Sequence, residues 1–153
     1  MYKKILVPID GSELSYMAVA GAASFAKPLG AEVVVMTVIE PYSYTNLSEY
    51  RPESIDQYDS RVKDQARDRL EKARTYFDRM GVPTTECSKK SFSPSEAIID
   101  LCDELECDLI FMASHGRKGL AAVLLGSETQ KVLTHSKVPV MVFRSSEFDG
   151  RIA

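Results

Sequence analysis

Residues 108–133 read DLIFMASHGRKGLAAVLLGSETQKVL. They hold an apolar run, a loop punctuated by glycine and basic residues, and a Gly-Ser pair that opens a helical pattern. A strand, a loop and a helix N-terminus in that order make an anion site. The first N–H groups of a helix have no partner inside it, and the helix dipole there favours negative charge. The rest of the chain reads as the support for this loop.

Working outward, residues 3–9 (KKILVPI) form a buried strand closed by Asp10-Gly11-Ser12, with Ser12 a helix N-cap. Leu14, Met17, Ala18, Gly21, Ala22, Phe25 and Leu29 then recur at helical spacing, and Pro28 and Gly30 are expected to end that helix. Residues 31–39 (AEVVVMTVI) are a second buried strand. Residues 40–54 show no period and read as a surface connection rather than a lid. A long amphipathic helix follows over 55–80, carried by Ile55, Tyr58, Val62, Ala66, Leu70, Ala73, Phe77 and Met80, with a charged face read as solvated. Residues 84–92 (TTECSKKSF) are polar and suit an edge strand. Ser93-Pro94-Ser95-Glu96 predicts a helix start with a capping box, and Ser127-Glu128-Thr129-Gln130 predicts a second. The last strand begins at Val138 and ends at Phe143 (VPVMVF), and residues 144–153 read as a frayed tail.

Strands alternating with helices imply a parallel sheet with helices on both faces: an α/β, Rossmann-like fold in one domain over residues 1–153. The first, second and fourth strands are almost wholly apolar and belong in the middle. The third is polar, and the fifth carries Pro139, which cannot donate to a ladder, so both belong at edges. The order 3-2-1-4-5 satisfies this. Sequence order then reverses between strands one and four, and the crevice at their carboxyl ends is the expected ligand site. Asp10 and the loop after Ala113 lie there. An apolar terminal edge strand needs a cover, which predicts a homodimer through that strand, antiparallel across a two-fold axis.

A net charge of -3 argues against a general nucleic-acid binder. No apolar run approaches the ~20 residues of a membrane span. The apolar run near the start is too short for a signal peptide. The three cysteines form no CxxC pair and read as reduced structural thiols of a cytoplasmic protein. No metal-ligand cluster is visible, so a divalent ion would arrive with the phosphates of a ligand.

The loop carries neither GxxxxGK[ST] nor GxGxxG. It carries Gly116, Gly119 and Gly126-Ser127, with His115, Arg117 and Lys118 between them. Glycine allows positive φ and close backbone approach. Ser127 can donate through its hydroxyl and its N–H, and Arg117 and Lys118 supply counter-charge to a polyphosphate. His115 reads as a phosphate donor or a bystander, because no nucleophile or second base accompanies it. Asp10 could accept ribose hydroxyls, help hold a metal, or simply start the turn with Gly11.

Three stretches, KKILVPIDGSE, CDLIFMASHGRKG and LLGSETQKVL followed by VPVMVFR, resemble the universal stress protein family over nearly the whole chain. Its nucleotide-binding members carry G-x2-G-x9-G-[ST]. Gly116, nine residues and Gly126-Ser127 match it, while Ala113 stands at the first glycine. The resemblance implies ATP or a related adenine nucleotide, with Mg²⁺ as a possible companion. It places Pro8, Ile9, Asp10 and Val38 on the adenosine side and Met112 and Ala113 beside the ribose. Gly116, Gly126, Ser127 and the backbone of Glu128 would hold the phosphates. It also implies a dimer through the last strand. The Ala113 methyl costs little at negative φ and about 1–2 kcal/mol at positive φ. The Glu128 carboxylate would compete with phosphate for the N–H groups of its own helix unless it turned away.

The reading is therefore a stress-response protein with a regulatory nucleotide and no efficient catalysis. A dimeric interaction module that binds no nucleotide is the alternative. An enzyme, a slow ATPase or an adenylating ligase, is a third. The ligase wants a Ser-Gly-Gly loop after the first strand, where this chain has Asp10-Gly11-Ser12-Glu13.

Overall fold

The computed structural model describes residues 1–43, 53–116 and 125–145. Strands β1 (Lys4–Ile9), β2 (Glu32–Ile39), β3 (Thr84–Lys90), β4 (Leu109–Ala113) and β5 (Val140–Phe143) alternate with helices α1 (Glu13–Leu29), α2 (Ile55–Met80), α3 (Pro94–Glu104) and α4 (Ser127–His135). The strands form one parallel sheet in the order β3-β2-β1-β4-β5, as their polarity predicts.

Side chains of the central strands alternate between two apolar layers, which explains why these strands are apolar throughout. Ile5, Val7, Val33, Val35, Leu109 and Phe111 pack with α1 and α2 on one face. Leu6, Val34, Met36, Ile110 and Met112 pack with α3 and α4 on the other. Small residues let α1 lie close to the sheet. A Cβ on Gly21 would sit 2.9 Å from the Phe143 ring, so this glycine makes room for β5. The β3 edge is guarded by ion pairs, Glu86 with Arg74 at 3.5 Å and Lys89 with Glu104 at 2.7 Å.

Several boundaries differ from expectation. Helix α1 continues through Pro28, which sits in its last turn, and ends at Gly30 in the left-handed region. Strand β5 begins at Val140 rather than Val138. The Ser136 hydroxyl takes the Val138 N–H (3.2 Å) and donates to its carbonyl (2.7 Å), holding that residue in a turn. Gly126, not Ser127, is the N-cap of α4, and no side chain caps that helix. Ser93 is the N-cap of α3 but makes no cap bond through its side chain. Ser54, in contrast, forms a full capping box with Gln57. The central part of the 40–54 connection and most of the C-terminal tail lie outside the described residues. Among the described residues, no helix is long and apolar enough to cross a membrane.

Helix α2 has 26 residues, about 39 Å of helix. Strand β2, which it packs against, has eight, about 26 Å. The N-terminal turns of α2 therefore run past the carboxyl ends of the strands. The Tyr58 hydroxyl donates to the Glu40 carbonyl (2.8 Å), tying this overhang to the end of β2.

Candidate nucleotide-binding site

A cavity of about 860 Å³ lies at the carboxyl edge of the sheet, under the overhang of α2. Pro8, Ile9 and Asp10 from the end of β1, Val38 from β2, and Met112 and Ala113 from β4 line it. His115, Gly116, Gly126, Ser127 and Glu128 line the same cavity. These are the candidate residues of the sequence, with one exception: Arg117, like Lys118 and Gly119, lies outside the described residues.

The two ends of the loop after β4 are held together by backbone. The Gly126 N–H donates to the Ser114 carbonyl at 2.7 Å, and the Ser114 N–H donates to Phe143 of β5 at 2.8 Å. The Thr129 hydroxyl adds a buried bond to the Ala113 carbonyl at 3.0 Å. These bonds seat the first turn of α4 beside the end of β4, where it faces the cavity. Gly126 is favoured here by tight space and not by conformation. Its φ is -61°, but an added Cβ would lie 3.0 Å from His115 Cα and 3.4 Å from the Ser114 carbonyl oxygen. At Gly116 an added Cβ would lie 2.6 Å from Asp10 Oδ2. The loop backbone thus passes directly over the Asp10 carboxylate.

Asp10 Oδ1 accepts the Ser12 N–H at 2.9 Å, so the carboxylate both shapes the turn and lines the cavity. Ser12 caps α1 by accepting the Ser15 N–H at 3.2 Å. The His115 ring shares a hydrogen bond with the Ser114 hydroxyl at 3.2 Å. Ala113 lies within β4 and has no positive φ, so its methyl group is accommodated without backbone strain. The Glu128 carboxylate does turn away from its own helix: Oε2 accepts the backbone N–H of Ser95 in α3 at 2.8 Å. Its other oxygen pairs with Lys131 at 3.3 Å.

Sequence reasoning missed the opposite wall. Tyr58, Arg61, Gln65 and Arg69 of α2 line the cavity, as do Phe92, Pro94 and Ile98. The spacing of Arg61, Gln65 and Arg69 was the available signal, since residues four apart share one face of a helix. Arg61 is gripped by Glu53, with its shortest contact at 2.6 Å, and lies over the Tyr58 ring at 5.2 Å. Donating to the Glu53 carboxylate raises the Arg61 pKa above its ordinary value. Among the described residues, no three His, Cys, Asp or Glu side chains group to hold a metal ion.

Chemically, the cavity joins an apolar floor, a carboxylate that can accept hydroxyl groups, and a helix N-terminus whose N–H groups suit an anion.

The model of the universal stress protein family matches residues 1–144. Universal stress protein MJ0531 of Methanocaldococcus jannaschii is 31% identical over 146 residues, covering 94% of this chain and 83% of its own. Universal stress protein YxiE of Bacillus subtilis is 33% identical over 150 residues, covering 94% of this chain and all of its own. The solved structure of MJ0577 superposes with a TM-score of 0.81 at 27% identity, covering 96% of this chain and 99% of that one. A universal stress protein solved in complex with cAMP has a TM-score of 0.69 at 25% identity, over 95% of this chain and 98% of that one. With a family match across the length that contains every strand and helix of the sheet, this chain belongs to the universal stress protein family.

Proposed function

We propose that this protein binds ATP, or a related adenine nucleotide, in the crevice at the carboxyl edge of the sheet, and uses it as a regulatory ligand in a cytoplasmic stress response. The observation that carries the reading is the first turn of α4. No side chain caps it, and it faces a cavity whose far side holds Asp10. The relative bound to cAMP shows that an adenine nucleotide can be held by a protein of this family.

In this reading the base lies against Pro8, Ile9, Val38 and Met112. Asp10, fixed by the Ser12 N–H, accepts ribose hydroxyls beside Ala113. The N–H groups of Ser127 and Glu128 and the Ser127 hydroxyl hold phosphates, with His115 and Arg117 as further donors. Mg²⁺ would enter with a polyphosphate, which carries the oxygens that it needs. The reading assigns no catalytic residue: the Asp10 and His115 side chains are both engaged in local hydrogen bonds. Three unpaired thiols agree with a reducing compartment. The active form is a homodimer joined through β5, whose outer edge is apolar.

The alternative without nucleotide drew on Ala113 and Glu128. The first lies unstrained in a strand, and the carboxylate of the second is bound to another helix, which weakens that reading. The test is to denature the purified protein and identify the released small molecules by mass spectrometry. An adenine nucleotide is expected, and Gly116→Val, which drives a side chain into Asp10, should remove it. Nucleotide content that Gly116→Val leaves unchanged would count against this site.

A further inference from the structure

Phe92 lines the cavity from the turn between β3 and α3, and it is 63% exposed. The fold makes no use of its ring. Phe92 belongs to neither apolar layer of the sheet, and among the described residues no other ring stacks on it. Its backbone, by contrast, is fixed on both sides. The Ser91 N–H donates to the Ile39 carbonyl, at the end of β2, at 3.0 Å. The Ser91 hydroxyl then closes a ring around Phe92. It accepts the Ser93 N–H at 3.0 Å and donates to the Ser93 carbonyl at 3.1 Å. Further on, the Ser95 N–H is tied to Glu128 at the start of α4. An unpacked aromatic side chain is thus held on a rigid turn at the border of a ligand-sized cavity, and its burial is left to whatever fills that cavity.

The position matches one part of a nucleotide. Met112 and Val38 belong to the apolar layer that α3 and α4 cover. Pro8, two residues after Leu6 of that layer, shares its face. These are three of the four residues set against the base in the reading above. Ile98 of α3 belongs to the same layer and lines the cavity with Pro94. The base pocket is therefore apolar and is bordered by the turn that carries Phe92. The α4 N-terminus and Asp10 supply the polar groups that phosphates and ribose need. A phenyl ring offers nothing to either, but its flat face suits the flat face of a base.

We infer that Phe92 is a base-recognition residue whose ring stacks on the adenine, so that the base lies between this ring and the floor of Pro8, Val38 and Met112. This inference rests on the adenine-nucleotide reading above.

The test measures ATP binding to the intact protein and to three variants at this exposed position. Phe92→Ala should bind ATP about tenfold more weakly, whereas Phe92→Tyr, which keeps the ring, should stay within about twofold of the natural chain. The chain has no tryptophan, so Phe92→Trp introduces a single indole, whose fluorescence should be quenched as ATP saturates the site. Binding by Phe92→Ala within about twofold of the natural chain, or indole emission that saturating ATP leaves unchanged, would overturn the role of Phe92 while leaving the nucleotide site standing. Failure of the natural chain to bind ATP would overturn the nucleotide reading itself, and this inference with it.

Discussion

The Glu128 carboxylate, at the start of α4, accepts the backbone N–H of Ser95, in the first turn of α3, at 2.8 Å. One helix thus caps another, and the group that could have blocked a phosphate at α4 is spent on α3. Replacing Glu128 with Ala leaves the Ser95 N–H without this acceptor. The expected cost is about 1–2 kcal/mol, as for loss of a helix cap, or roughly 2–8 °C in Tm for a chain of this size. Nucleotide affinity should stay within about twofold. A marked gain in affinity would mean that the carboxylate competes with the phosphates after all.

Gly116 and Gly126 respond differently to added volume. At Gly126 the new methyl meets backbone at 3.0 Å and 3.4 Å, which cannot rotate aside. Gly126→Ala should therefore lower stability by about 1–3 kcal/mol, as overpacking does. At Gly116 the new methyl meets the end of the Asp10 side chain, which can turn. Gly116→Ala should leave Tm nearly unchanged and weaken nucleotide binding by displacing Asp10. Paired thermal melts and titrations separate the two outcomes. Equal losses of stability would contradict the contact geometry.

The cysteines should react in a fixed order. Cys102 and Cys107 are buried, at 2% and 4% exposure, while Cys87 is half-buried on the edge strand. Burial pushes the Cys87 thiol pKa up, so less thiolate is present at neutral pH than for a free cysteine. A hydrogen bond to Cys107, together with burial, raises that of Cys102 further. Labelling of the folded protein with an aromatic disulfide should titrate one thiol slowly, faster as pH rises, and all three only on unfolding. Two fast-reacting thiols in the native state would contradict this burial.

The proposed homodimer can be tested without disturbing the core. The Ile110 N–H donates to the Pro139 carbonyl, and the Ser114 N–H to that of Phe143. Backbone direction alternates along a strand, so Val140 and Val142 present their N–H groups to the outer edge of β5. Val142→Pro removes an outward donor and spares the ladder to β4. Sedimentation at tens of micromolar should show a dimer for the natural chain and a monomer for the variant. A natural chain that sediments as a monomer would remove the proposed interface.

The strand order was legible because polarity marks depth. The lysines of β3 and the proline before β5 could only sit at edges, and the switch point followed from their placement. That placement also put Asp10 and the loop after Ala113 at the crevice, whereas Pro8, Ile9, Val38 and Met112 came from the family resemblance. The α2 wall was not. Arg61, Gln65 and Arg69 form a polar stripe that looks the same on paper whether it meets solvent or a cavity. Only the mismatch between a long helix and short strands shows that it overhangs the crevice. The N-cap of α4 was misplaced by one residue, and the side-chain cap expected from Ser93 at the start of α3 does not form, although the local patterns at Ser93 and Ser127 were complete. A carboxylate from a neighbouring helix, and a glycine packed on the Ser114–His115 backbone, take over those ends, and sequence spacing cannot display a contact of that kind.

The central claim is that the cavity between Asp10 and the α4 N-terminus holds an adenine nucleotide. Titration calorimetry of the nucleotide-free protein with ATP and Mg²⁺ tests it most directly. The account predicts one saturable site per chain, weakened about tenfold by Ser127→Ala, which removes one hydroxyl donor to phosphate. No binding heat at millimolar ATP, with or without Mg²⁺, would contradict it and favour a dimeric module that acts through protein contacts alone.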